Sequence, residues 1–456
     1  MNDMRDLLQE TAERAAKFLE SLPERRVSAL RNAEELVADL GGELPQKGLP
    51  ASEIVERLDV IGVQGVVASA GPRYFGFVTC GALPASLAAN WLAAAWDQNA
   101  FSEAGSPAGA AIEQVAMRWV LETLELPADA GVAFVTGATM ANFTALAAAR
   151  RAVLLAHGHD VDRHGLHGAP EITVVVGEQA HATLFKALGM LGLGRDRVCR
   201  VPVDAQGRMQ VDSIPYLDGP AIVCTQAGNV NSGAFDPVGA VCDALQGGDV
   251  WVHVDGAFGL WARASRRFGA LSAGIERADS WATDAHKWLN VPYDSGLAIV
   301  RDAGALRGTM SVHADYLPDR ISRDPFEFTP EASRRMRGVE IWAALLSLGR
   351  DGIEELVDRN CLQARRFAAG LLDAGWEILN DVVLNQVLVA FGDDRITTDV
   401  IMGVQREGTC WCGKTNWNGR AAMRISVSSW ATTDNDVDRS LAGILRVADD
   451  MTRPGI

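Results

Sequence analysis

Five short runs, 132–135, 172–176, 221–224, 250–254 and 297–300, consist almost entirely of apolar residues. A strand with one wet face alternates apolar and polar residues, so runs that are apolar throughout belong to strands covered on both faces. Helical stretches separate them from about residue 105 onward, which predicts an α/β domain built on a mostly parallel sheet. In such sheets functional groups gather at the carboxyl ends of the strands. Thr136-Gly137 and Asp255 stand at two of those ends.

At 456 residues the chain exceeds what one core supports. Met4, Leu7, Leu8, Ala12, Ala15 and Leu19 recur at helical spacing until GGELPQKGLP breaks the pattern. We therefore expect an N-terminal helical arm over 1–100 and a large α/β domain over 101–345. A helical stretch, 352–374, precedes short strands around 382–391 and 422–427, which predicts a small α+β domain over 346–456.

A net charge of −16 and a pI near 5.0 argue against nucleic acid or an anionic membrane as partner, because both attract basic surfaces. Seven scattered cysteines suit a reducing compartment better than a disulfide framework. The start, MNDMRDLLQE, is charged, and no apolar run approaches the roughly 18 residues of a membrane span. The expected location is the cytoplasm.

Of 42 basic residues only five are lysines, one of them Lys287 in Asp284-Ala285-His286-Lys287-Trp288. Arginine never surrenders its proton in a protein, whereas a desolvated lysine can present a neutral amine to an aldehyde. Asp255 ends an apolar strand, where a carboxylate is costly to bury without a partner; a protonated pyridine nitrogen is a suitable one. Thr136-Gly137-Ala138-Thr139 opens a helix with small residues, a setting in which backbone N–H groups and a hydroxyl can meet a phosphate. His181 fits either a helix cap or a ring laid against a flat cofactor. Lysine, carboxylate and phosphate turn together point to pyridoxal 5'-phosphate.

In the order phosphate turn, histidine, acidic strand end and lysine, the chain resembles the group II pyridoxal-phosphate-dependent amino-acid decarboxylases of fold type I, among them the aromatic amino-acid and glutamate decarboxylases. The likeness runs from about Arg73 to Asp438, through PRYFGF (72–77), SPAGAAIEQ (106–114), TGATMAN (136–142), GNVNSGAFDP (228–237), HVDGAFG (253–259), DAHKWLNVPYDSG (284–296), SRRMRGVEIW (333–342) and RISVSSWATT (424–433). It implies a large domain with a mostly parallel sheet and a small C-terminal α+β domain. It also implies a homodimer with the active site at the subunit interface. By the same resemblance Lys287 would join the cofactor as an imine and Asp255 would pair with the ring nitrogen. His181 and Ala257 would cover the two ring faces, and Gly137, Ala138, Thr139 and His286 would surround the phosphate. Many relatives read Gly-Thr-Thr where this chain has Gly228-Asn229-Val230, so Asn229 is the polar contact expected in place of a hydroxyl.

The resemblance implies loss of carbon dioxide from an L-amino acid, and Trp and Phe near the motifs lean the substrate toward an aromatic side chain. Tyr316, followed by leucine as in the mobile loop of aromatic amino-acid decarboxylases, is the expected proton donor. Relatives that carry out oxidative deamination have phenylalanine there. Arg424 keeps an aminotransferase reading open, since such enzymes hold the α-carboxylate with a C-terminal-domain arginine. A Cα–Cβ lyase or aldolase and a non-catalytic cofactor-binding protein are further alternatives. His157, His159, His164 and His167 lie in a Gly/Asp-rich connection and predict no metal site. Cys410-Trp411-Cys412 has neither redox nor zinc spacing.

Overall fold

The computed structural model describes residues 2–312 and 323–452. Two compact units emerge. One comprises Ala82–Arg365 with Asn380–Val387; the other comprises the residues up to Gly81, Arg366–Leu379 and those from Leu388 onward.

A seven-stranded sheet organises the first unit. Its order across the sheet is Gly131–Val135, Gly296–Val300, Ser280–Asp284, Val250–Asp255, Ala221–Gln226, Thr173–Gly177 and Cys199–Val201. Every strand except Gly296–Val300 runs in the same direction. All five apolar runs are strands, and the mostly parallel α/β expectation holds. Two further strands are Cys199–Val201, only three residues long, and Ser280–Asp284, whose Ser280, Thr283 and Asp284 hide its central position.

Helix Ala138–Ala156 packs across this sheet. Alanine at 141, 145, 147, 148 and 149 favours the helix and lets its axis lie close to the strands. Close approach reaches its limit at Gly296, paired with Val135. A Cβ there would lie 2.4 Å from Gly137 Cα, backbone that cannot swing aside. Gly296→Ala should therefore cost about 1–3 kcal/mol, read as a lower urea midpoint; an unaltered midpoint would mean that the two backbones can part freely.

In the second unit a five-stranded sheet has the order Tyr74–Phe75, Trp411–Trp417, Arg420–Ser426, Gln386–Ala390, Glu377–Ile378. Helix Asp394–Glu407 packs on it and against helix Asp434–Thr452. Buried Arg73, within PRYFGF, donates to the carbonyls of Pro23, Arg25 and Thr409, which ties the first residues of the chain to its last third. The Gly338–Asp373 helix starts before the predicted 352–374 stretch and is interrupted at Gly349, where φ is +61°. Among the described residues, no helix is long and apolar enough to cross a membrane.

Candidate active site

Because six strands share one direction, Thr136, His181, Gly228, Asp255 and Lys287 all follow carboxyl ends on one edge of the large sheet. They meet around a cavity of about 310 Å³. The positive end of helix Ala138–Ala156 opens onto one side of it, with Thr136, Gly137, Ala138, Thr139 and Met140 in the wall.

Asp255 is 5% exposed. Burial pushes its carboxyl above the ordinary carboxylate range, while His181, Lys287 and a hydrogen bond from Asn142 pull it back. Asn142 Nδ2 donates to Asp255 Oδ2 at 3.1 Å, and the Ala257 N–H to Oδ1 at 3.3 Å. A buried carboxylate whose surroundings oppose its charge calls for a cationic partner.

Lys287 carries the one primary amine among the described residues lining the cavity. Its Nζ lies 2.9 Å from Asp284 Oδ2. Asp284 Oδ1 accepts the Ala138 N–H at 2.5 Å and stands 3.5 Å from His286 Nε2. The Ala138 amide is thus committed to Asp284. The first-turn N–H groups of Thr139 and Met140 find no acceptor within a helix and are the donors left for an anion. His286 Nδ1 accepts the Ser295 N–H at 3.0 Å, and burial pushes the imidazole down, so its Nε2 carries the hydrogen. Tyr293 lies over the His286 ring, centroids 4.3 Å apart.

His181 is both a helix cap and part of the cavity wall. Its Nδ1 accepts the Thr183 N–H at 3.3 Å and meets Thr183 Oγ1 at 2.7 Å, which fixes the ring's orientation at the start of Ala182–Met190. Ala257 also lines the cavity. Asn229 does not: its Oδ1 is turned to the N–H groups of Asn231 and Ser232, while Gly228 and Val230 supply the wall. Gly228, at φ +90°, has its missing Cβ position 2.9 Å from Gly259 Cα, so a side chain there has no room. Tyr316 lies outside the described residues. Arg424 is buried in the second unit, where desolvation lowers its pKa. His157 and His159 each point a ring nitrogen at a backbone carbonyl, and among the described residues no three His, Cys, Asp or Glu are placed to hold a metal. Cys412 shares a hydrogen bond with Cys410, which together with burial raises its pKa.

Sequence reasoning left Asp284, Gln226 and Phe258 of the cavity wall without a role. Asp284 was legible as the acidic residue three positions before Lys287.

A cavity lined by an amine, a buried carboxylate and a helix N-terminus fits pyridoxal phosphate. The pyridoxal-dependent decarboxylase conserved domain matches residues 34–392. The chain belongs to the pyridoxal-dependent decarboxylase family. This decarboxylase is 26% identical to an aromatic-L-amino-acid decarboxylase of Bacillus atrophaeus over 99% of its own length and 96% of that protein. It is also 26% identical to tryptophan decarboxylase 1 of Oryza sativa, over 94% and 90%. The crystal structure of Oryza sativa TDC with PLP and tryptamine superposes with a TM-score of 0.91 at 23% identity, covering 99% of both chains. Mouse CSAD does so with 0.90 at 22%, covering 98% of both. These likenesses show the fold, that of the fold type I enzymes. The protein is a pyridoxal-phosphate-dependent amino-acid decarboxylase.

Proposed function

We propose that this decarboxylase removes carbon dioxide from an L-amino acid with an aromatic side chain, and that Lys287 and Asp255 are the residues on which cofactor binding turns. The placement of that amine and that buried carboxylate on one cavity carries the reading. When bound, pyridoxal phosphate would supply a ring able to accept the electron pair left when a bond at the substrate's Cα breaks. Lys287 holds the cofactor covalently, and Asp255 pairs with its ring nitrogen. Gly137, Ala138, Thr139 and His286 would surround the phosphate, with the N–H groups of Thr139 and Met140 as donors and the Ala138 amide held by Asp284. His181 and Ala257 bracket the ring. Asn229 supports the Gly228–Val230 wall from behind through its turn. The aromatic preference is supported by the names of the relatives and by Val230, Met140 and Phe258, which add apolar surface to the cavity.

Tyr316 delivers the proton that replaces the carboxyl group. Tyr316→Phe should leave cofactor binding within about twofold and reduce amine formation by about 10²–10⁴-fold; full turnover by this variant would remove the tyrosine from the reaction. A second copy of the chain completes the assembly, a reading supported by Trp91, Leu92 and Trp96, which stay 44–54% exposed on helix Pro84–Trp96. Sedimentation at micromolar concentration tests it, a monomer being the adverse result. Seven free cysteines support a cytoplasmic location.

The deciding experiment incubates the cofactor-loaded protein with each common L-amino acid and quantifies carbon dioxide and amine. Equal yields of both from tryptophan, tyrosine, phenylalanine or dihydroxyphenylalanine are expected. Release from acidic amino acids alone overturns the aromatic assignment, and keto acid in place of amine supports the aminotransferase alternative.

A further inference from the structure

His253 and Asp255 are two residues apart on one strand and so face the same side of the sheet. Helix Ala138–Ala156 covers that side and places Asn142 over both. On the neighbouring strand Ser280 is the direct register partner of His253. His253, Asn142 and Ser280 are fully buried, and the cavity wall does not include them.

The direction of every hydrogen bond in this cluster follows from chemistry. Indole is a donor only, so Trp251 Nε1 gives its hydrogen to Ser280 Oγ at 2.8 Å. The serine hydroxyl then donates to His253 Nδ1, also 2.8 Å away. At the other end, a carboxylate accepts only, so Asn142 turns Nδ2 to Asp255 Oδ2 and Oδ1 to His253 Nε2, at 2.8 Å. Nε2 must carry the imidazole hydrogen. Each donor has an acceptor only when the histidine is neutral and the aspartate is ionised. Burial favours the same neutral state of His253.

We propose that Asn142 and His253 are positioning residues for the cofactor: the one-way chain Trp251→Ser280→His253→Asn142→Asp255 holds Asp255 as an ionised acceptor aimed at the ring nitrogen. This rests on the reading that Asp255 pairs with that nitrogen. Asn142 holds Oδ2 and the Ala257 N–H holds Oδ1, which fixes the carboxylate plane and leaves one lone pair on each oxygen for a further donor. Without the Asn142 donor the buried carboxylate is freer to take up a proton or turn, and in either state it is a weaker counter-charge.

The test is titration of the cofactor-free protein with pyridoxal phosphate, following the cofactor's long-wavelength absorption band, for wild type and the Asn142→Leu, His253→Leu, His253→Gln and Asp255→Ala variants. Asn142→Leu should bind about tenfold more weakly and shift the band. His253→Leu should change both in the same direction. His253→Gln, whose amide can still donate to Asn142 Oδ1, should recover both, a rescue that loss of packing alone does not predict. If Asn142→Leu does not fold, Asn142→Ala removes the same donor with less crowding. Wild-type affinity and band in both leucine variants, beside a weakened Asp255→Ala, overturns the relay while leaving the Asp255 assignment intact. Wild-type behaviour of Asp255→Ala overturns that assignment and the relay with it. Equal weakening in His253→Leu and His253→Gln also overturns the relay, assigning His253 to packing.

Discussion

Lys287→Ala should lower amine formation by at least about a thousandfold, and after borohydride reduction no pyridoxyl group should remain on the peptide containing residue 287. No other primary amine lines the cavity among the described residues, so no neighbour can take over the attachment. The same substitution strips Asp284 of its 2.9 Å partner while leaving its contacts to Ala138 and His286. The variant should therefore fold and retain weak, reversible cofactor binding through the phosphate turn. Peptide mapping of the reduced protein decides the matter: a pyridoxyl group found on Lys186, or on any other lysine, means that the attachment has been assigned to the wrong residue.

Asp255→Ala should weaken cofactor binding by about 10–100-fold, the loss of a charged hydrogen bond worth about 1.5–3 kcal/mol, and should lower turnover further. The extra loss arises because the counter-charge also maintains the ring's capacity to accept electrons after the cofactor is seated. Binding is read by spectral titration and turnover by carbon dioxide release. If both fall by the same small factor, Asp255 contributes to holding the cofactor and nothing to the chemistry.

His253 makes a related but separable contribution to stability. Burial depresses its pKa from 6.5 to about 3. A depressed base stabilises the fold above its unfolded value, near pH 6.5, and that contribution is lost as pH falls toward 3. Over the whole interval the loss is about 5 kcal/mol, at about 1.4 kcal/mol per pH unit. The stability advantage of wild type over the non-titrating His253→Gln variant should therefore shrink by about 2–3 kcal/mol between pH 6.5 and 4.5. Urea melts of the two proteins at both pH values measure it, and a difference independent of pH would mean that the imidazole takes up its proton without penalty.

Several residues of the cavity wall were legible because their signals are local. Apolar runs announce buried strands, a residue that follows such a run lies at its carboxyl end, and small residues open the next helix; Asp255 and the 136–139 turn, which line the cavity, were singled out this way. Asn229 shows where such reading stops. A polar residue in the right segment was expected to face the cofactor, yet its oxygen is consumed by the turn at Asn231 and Ser232. Nothing in the order of residues says which way that side chain turns, since the choice depends on the backbone path around Gly228.

Strand Ser280–Asp284 makes the same point from the other side. Its polar residues suggest a loop, but two of them meet partners far away in sequence: Ser280 meets Trp251 and His253, and Asp284 takes the Ala138 amide. The sequence by itself determined five of the seven strands of the large sheet, that they are covered on both faces, and that one lysine and one acidic strand end are chemically distinctive groups, because hydrophobic periodicity and side-chain type act over a few residues. Tertiary structure alone decided that Ser280 sits beside His253, that Asn142 joins His253 to Asp255, and that Asp284 takes the Ala138 amide. Each of those hydrogen bonds requires strands and helices distant in the chain to be adjacent, and adjacency is set by how the whole sheet is ordered and covered.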